Sequence, residues 1–405
     1  QGVGDAGLAA LTIFMPIVAS FFALGLLLGI GGGVLMSVAK GSGNESLAHK
    51  YFSTAMISAA VVSVCFAVFG AIFFDPMMYA LGADTTNIEL VRGYGLCYTV
   101  SAPLFIFSSS LQSFIRNDKS PRHAMIAVLT GSGLNILLDY LFIFVFKMGM
   151  FGASFATSIG TSITVCILII HFFTKKNTMR FSFRFFSIKA LWEIAKCGFS
   201  SFLIECANAV LVFVFNHTLL KYIGSVGVTV YSIMSNVAVV CMSLFNGVTL
   251  AAQPIIATNH GADNHKRVLQ VRHIGTITSS VIAVIIFCVG FFFPDLLIYS
   301  YVKGPTPEIL ELARYALRIY FFAYLFMNFN IFFSGYFQST LRPVAAITIQ
   351  ILRSLLLSSV LVSVLPMIFG ADAIWYAVPI TECITFFVAM AFLFFGRFQK
   401  TKEAK

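Results

Sequence analysis

The chain has 405 residues, 59% of them hydrophobic and only 10% charged, with a formal net charge of +10. That make-up excludes an ordinary soluble domain. The positive excess does not point to nucleic acid as a partner, because the basic residues collect in short loops between apolar runs, where membrane topology accounts for them.

Taken in order, the apolar runs predict eleven spanning helices, at roughly 9–39, 50–74, 89–116, 122–146, 152–173, 193–221, 227–258, 267–293, 308–340, 344–368 and 371–396. The breaks between them carry turn residues, among them Gly41–Asn44, Asp75–Asp84, Asn117–Pro121 and Pro294–Pro307. One set of loops, together with the C-terminus, holds nineteen Lys and Arg; the opposite ends hold six. That bias makes the first set cytoplasmic and puts the C-terminus inside. The eight cysteines lie scattered in apolar runs with no C-x-x-C spacing, so they read as buried free thiols rather than a disulfide framework or a zinc site. The seven histidines are isolated or near an interface, with no catalytic or metal-binding grouping.

A shift of 220 residues superposes the two halves from Gly4 to Asp75. Gly41 then meets Gly261, Asn44 meets Asn264 and Asp75 meets Asp295; after small gaps Pro121 meets Pro343 and Gly152 meets Gly370. The signal lies in turn residues falling in register, as a parallel repeat requires. The expected fold is an all-α polytopic membrane protein of two pseudo-symmetric six-helix lobes, with eleven of twelve helices present. The N-terminal lobe is expected over 1–174, a cytoplasmic linker over 175–190, the C-terminal lobe over 191–398 and a cytoplasmic tail over 399–405. The counterpart of helix 193–221 would lie upstream of residue 1, so the natural protein is expected to carry a further apolar span there.

Polar residues inside the spans single out candidate sites. Asn135 and Asp139 are four apart and share a helix face. A glycine-rich turn follows, and Thr157 lies at a similar depth beyond it, roughly 8–10 Å from the same membrane surface at ~1.5 Å per residue. A carboxylate buried there needs a proton or a cation as companion; a plain helix-packing cluster is the competing reading. Glu205 sits about a third of the way into its helix. Arg353 and Glu382 lie mid-helix on successive antiparallel helices at similar depth, placed for either a structural ion bridge or a part in coupling or substrate selection. The aromatic run Tyr320–Phe337, with Asn328 and Asn330, reads as packing or as a cavity lining for aromatic cations. Gly29-Ile30-Gly31-Gly32-Gly33 lies inside an apolar helix with no preceding strand or following Lys-Ser/Thr, so it reads as close helix packing, not a phosphate loop.

Three stretches carry a family resemblance: GDAGLAALTIFMPI at Gly4–Ile17, Asn135-Ile-Leu-Leu-Asp139 with Gly149–Thr157, and QPIIATNHGADNHKRV at Gln253–Val268. Together they resemble the multidrug and toxin extrusion (MATE) family, bacterial type. The resemblance implies two six-helix lobes whose central cavity opens alternately to each side, exporting organic cations in exchange for inward Na⁺ or H⁺. It implies a cation site at Asn135, Asp139 and Thr157, to which the family adds an Asp on its first helix, absent from this chain. A functional Glu of some branches falls at Asn208, with Glu205 about a turn earlier. No tightly bound cofactor and no metal beyond Na⁺ is expected, and the protein is expected to work as a monomer in the bacterial cytoplasmic membrane. Competing readings are a lipid-linked oligosaccharide flippase, which would favour several basic residues in the cavity, a non-transporting degenerate relative, and an intramembrane enzyme, for which no cluster of catalytic groups is seen.

Overall fold

A computed structural model describes residues 4–302 and 304–403. Lys303, Ala404 and Lys405, and the side chains of Arg397, Lys400 and Lys402, which enter the charge bias, lie outside the described residues. The helices are α1 (Gly4–Gly41), α2 (Glu45–Ile72), α3 (Phe74–Ala80), α4 (Ile88–Val100), α5 (Ala102–Asn117), α6 (Pro121–Asp139), α7 (Gly149–Ile170), α8 (Ile188–Tyr222), α9 (Ser225–Gly261), α10 (His265–Phe292), α11 (Pro294–Tyr301), α12 (Pro307–Phe321), α13 (Tyr324–Ser339), α14 (Pro343–Ile351), α15 (Leu357–Phe369) and α16 (Ala377–Glu403). Ten helical segments among the described residues are long and apolar enough to cross a membrane, and α4 with α5, bent by 50°, makes an eleventh. The bend falls at Ser101, just before Pro103, whose ring and missing N–H break the helical ladder.

Two expected breaks turn out to hold short helices, α3 and α11. Each starts directly after a capping Phe, Phe73 or Phe293, and carries an acidic residue in its first turn, Asp75 or Asp295, which favours the positive end of the helix dipole. Each carboxylate takes two hydrogen bonds from one arginine. Arg92 holds Asp75, with Nε at 3.1 Å; Arg314 holds Asp295 at 2.5 and 2.7 Å. The repeat is thus built into the caps and ion pairs. Asn44 and Asn264 cap α2 and α10 in the same way, accepting from Leu47 N at 3.0 Å and Arg267 N at 3.2 Å. Left-handed backbone recurs in register at Gly43 and Asp263, Gly82 and Gly304, and Lys119 and Leu341.

The chain divides into two compact units, Gln1–Glu205 and Cys206–Lys405. The division falls inside α8, beyond the 175–190 linker, because the linker and the start of α8 pack on the first unit. Tyr51 donates to Glu193 at 2.5 Å and Thr54 to the Phe185 carbonyl at 3.3 Å. Gly198 of α8 lies against α1 so closely that a Cβ there would meet the Leu27 carbonyl oxygen at 2.0 Å, and one on Gly31 would meet the Ile194 oxygen at 2.3 Å. Gly29 likewise abuts the Ser110 backbone of α5. The glycine run is therefore a helix-packing device. In the second unit, Phe215, Tyr231, Phe245, Phe321, Tyr324 and Trp375 form the core. The expected continuous helix 308–340 is interrupted at Phe322–Ala323, between α12 and α13.

Corresponding helices of the two halves each contain a π-helical turn, at Tyr140–Val145 after α6 and at Leu352–Leu356 between α14 and α15. The two turns are not repeat equivalents. The first follows Asp139 directly, and the second contains Arg353.

Candidate functional site

In the first unit α6 and α7 approach through glycines. A Cβ on Gly131 would sit 2.6 Å from the Gly160 oxygen, and one on Gly160 would sit 2.8 Å from the Gly131 oxygen. That closeness brings Asn135 to Thr157, with Asn135 Nδ2 donating to Thr157 Oγ1 at 3.4 Å. The Thr157 hydroxyl spends its own proton on the Ala153 carbonyl at 2.9 Å. Its oxygen then keeps one lone pair free. Asp139, one turn beyond Asn135 on the same face, has Oδ1 buried with no hydrogen-bond partner. The π turn begins at the next residue, and in it Phe146 N reaches back to the Leu141 carbonyl at 2.9 Å. Such turns concentrate at functional sites. From α4, Tyr94 lies within electrostatic reach of Asp139, its ring held against Phe14 and Tyr98, both at 5.7 Å. Tyr94 was invisible in the sequence, since nothing local ties it to Asp139. This span is poorly covered. Only 6% of the apolar window of Pro121–Val145 is buried, against 28% for its counterpart Pro343–Phe369.

The second unit treats its charge differently. Arg353 donates from Nε at 3.0 Å and Nη2 at 2.8 Å to Glu382 Oε1. Asn330 Nδ2 donates to Glu382 Oε2 at 2.7 Å and to the Glu382 carbonyl at 2.9 Å. Both carboxylate oxygens are thereby satisfied, and all three residues are buried. Ser358 caps the freed Arg353 carbonyl at 2.6 Å, using the wider spacing of the π turn. Tyr320 and Tyr324 lie within electrostatic reach of Glu382. The ion bridge expected from depth alone is present. Asn330 belongs to it rather than to a cavity lining, and Asn328 is absorbed by the Tyr324 and Leu325 carbonyls at 3.1 and 2.8 Å. Glu205 is half-buried and Asn208 exposed on α8, and neither makes a side-chain hydrogen bond among the described residues. None of the eight cysteines is joined in a disulfide among the described residues.

A third cluster takes in His171, one of the histidines read as isolated or near an interface. Asp118, in the turn after α5, accepts from Lys40 Nζ at 2.5 Å, from His171 Nε2 at 2.9 Å, from the Thr178 backbone N–H at 3.0 Å and from the Thr178 hydroxyl. The His123 ring lies 5.7 Å from that of His171. Burial alone would raise the Asp118 carboxyl, but the hydrogen bonds from Lys40, Thr178 and His171 outweigh it and hold the group below the ordinary carboxylate range. Sequence reasoning saw Asp118 only as a turn residue, because its partners come from three distant segments.

Ten apolar spans among the described residues, eleven with the bent pair, and a charged residue set inside a span of each unit are the make-up of a multi-pass membrane protein, and the family match makes it a transporter. The model of the MatE family matches residues 1–141 and 197–364, and the chain belongs to this family, whose members transport solutes and are not enzymes. The multidrug export protein MepA of Staphylococcus haemolyticus is 26% identical over 385 residues, covering 95% of this chain and 84% of that protein. MepA of Staphylococcus saprophyticus is 27% identical over 405 residues, covering 99% and 88%. Among solved structures, an outward-facing multidrug resistance MATE transporter aligns with a TM-score of 0.91 at 20% identity, covering 99% of this chain and 89% of its own. A transporter of the wider superfamily from Pyrococcus furiosus aligns with a TM-score of 0.90 at 21% identity. These two establish likeness of fold.

Proposed function

We propose that the protein is a cation-coupled antiporter that exports organic cations by alternating access across the bacterial cytoplasmic membrane, taking inward Na⁺ or H⁺ in exchange. The observation that carries this reading is the unpartnered buried oxygen of Asp139 beside the Asn135–Thr157 pair, inside a membrane span. An ionised carboxylate there is stable only with a proton or a cation at hand. Asp139, the Asn135 amide and the free lone pair of Thr157 make an oxygen donor set that suits a hard monovalent ion, while the single carboxylate is equally fit to carry a proton. The MepA relatives are named for multidrug export, which supports drug-like cations as the cargo. Arg353, set mid-span in the second unit, is neutralised by Glu382, which weighs against a flippase cavity built for a diphosphate.

The test is Asp139→Asn, which keeps shape and removes charge. Wild type and variant are reconstituted in liposomes, a Na⁺ or pH gradient is imposed, and a fluorescent organic cation is followed. Wild type is expected to show gradient-driven transport and the variant to lose it while inserting normally. Gradient dependence surviving in Asp139→Asn would remove the residue from coupling, and the two gradients compared in wild type identify the ion.

A further inference from the structure

A trough of about 480 Å³ opens between α10, α13 and α16 of the second unit, within the ~300–1,000 Å³ range of small-ligand sites. Its floor is apolar, formed by Phe333, Phe386, Met390 and Leu393; its rim carries Arg272 and His273. Arg272 is half-buried with its guanidinium 5.7 Å over the Tyr336 ring. None of the ion pairs among the described residues includes it. Such a cation, partly withdrawn from water, calls for an anion.

The position of the rim says what kind. The 28 residues of α10 rise about 42 Å at ~1.5 Å each, against a hydrocarbon core of about 30 Å. The surplus lies at the polar end, where His265, Lys266, Arg267 and Gln270 precede Arg272. Arg272 and His273 therefore stand at the headgroup boundary, and the aromatic floor runs from them into hydrocarbon. We propose that this trough is a binding site for one anionic phospholipid, with its phosphate on Arg272 and His273 and one acyl chain along Phe333, Phe386 and Met390. Lys266 and Arg267 on the same turn region add positive potential, so a net-negative headgroup is favoured over a zwitterionic one, whose ammonium would be repelled.

Native mass spectrometry of the purified protein, titrated with phosphatidylglycerol and with phosphatidylcholine of matched chains, tests this. Phosphatidylglycerol is expected to bind with a preference of about fivefold or more, roughly one basic residue's worth. Arg272→Gln should abolish the preference. Met390→Trp, which leaves the rim intact and fills the floor, should weaken both lipids. Glycerol phosphate, a headgroup without chains, should not compete. Equal binding of the two lipids by wild type, a full preference in Arg272→Gln, unchanged binding by Met390→Trp or effective competition by glycerol phosphate would each overturn the proposal.

Discussion

Asp139 and Glu382 are carboxylates set inside spans of two related units, on helices that are not repeat counterparts, and their surroundings give them opposite characters. Glu382 is saturated by Arg353 and Asn330, whereas Asp139 keeps an oxygen with no partner. A saturated buried pair is costly to break from one side only. Arg353→Ala is therefore expected to destabilise the protein by about 3–5 kcal/mol unless Glu382 takes a proton, read as reduced yield and lower Tm in detergent. The double change Arg353→Met with Glu382→Gln should restore more than either single change does. Losses that simply add across the three variants would argue that the pair is not coupled. The Asn135–Asp139 face and the Arg353–Glu382 depth match were legible in the sequence, because helical spacing alone places them. Asn330, Tyr94 and the partners of Asp118 were not, because each is recruited by tertiary packing from a distant segment.

At the scale of elements, the Asp118 cluster ties the end of α1, the turn after α5, the end of α7 and the linker into one polar knot. Its hydrogen bonds lower the Asp118 carboxyl, so the sign is that of a depressed acid. The stabilisation is complete above the unfolded value of roughly 3.9 and is lost as pH falls through the lower folded value. The linker should thus resist an acid-tolerant protease unchanged from neutral pH down to about pH 5, and open only below the carboxylate range. Asp118→Asn should expose the linker, basic at Lys175, Lys176 and Arg180, to trypsin already at neutral pH. Equal trypsin cleavage of wild type and variant would show that the knot does not hold the linker. The short helices α3 and α11 escaped sequence reading for a physical reason: Pro76, Gly82 and Pro294 look like breakers until the capping Phe and the Asp–Arg pairs are seen to support a single turn or two.

For the whole molecule, the number of spans and the duplication were written in hydropathy and in turn residues, and the structure repeats both in caps and ion pairs. Where one unit ends was not, since the chain passes through the boundary inside a single uninterrupted helix, α8. The nineteen-to-six division of basic residues predicts orientation. In intact cells, a cysteine introduced at Thr306 should react with an impermeant thiol reagent, and one at Ser187 should not, each placed in a background whose native cysteines are replaced. The reverse pattern would invert the topology.

The π turns have a consequence for which way the spans face. A turn closed by i→i+5 bonds holds one more residue than a turn closed by i→i+4 bonds. Tyr140–Val145 and Leu352–Leu356 each therefore hold one residue more than a regular α-helical turn would. Because an α-helix advances about 100° per residue, such an extra residue re-aims whatever follows while leaving earlier residues facing as before. The two turns fall at different heights in the two halves, so the halves are re-aimed over different stretches. Asn135 and Asp139 precede the turn of their helix and keep one face, while Arg353 lies inside its own turn, whose wider spacing lets Ser358 reach the Arg353 carbonyl.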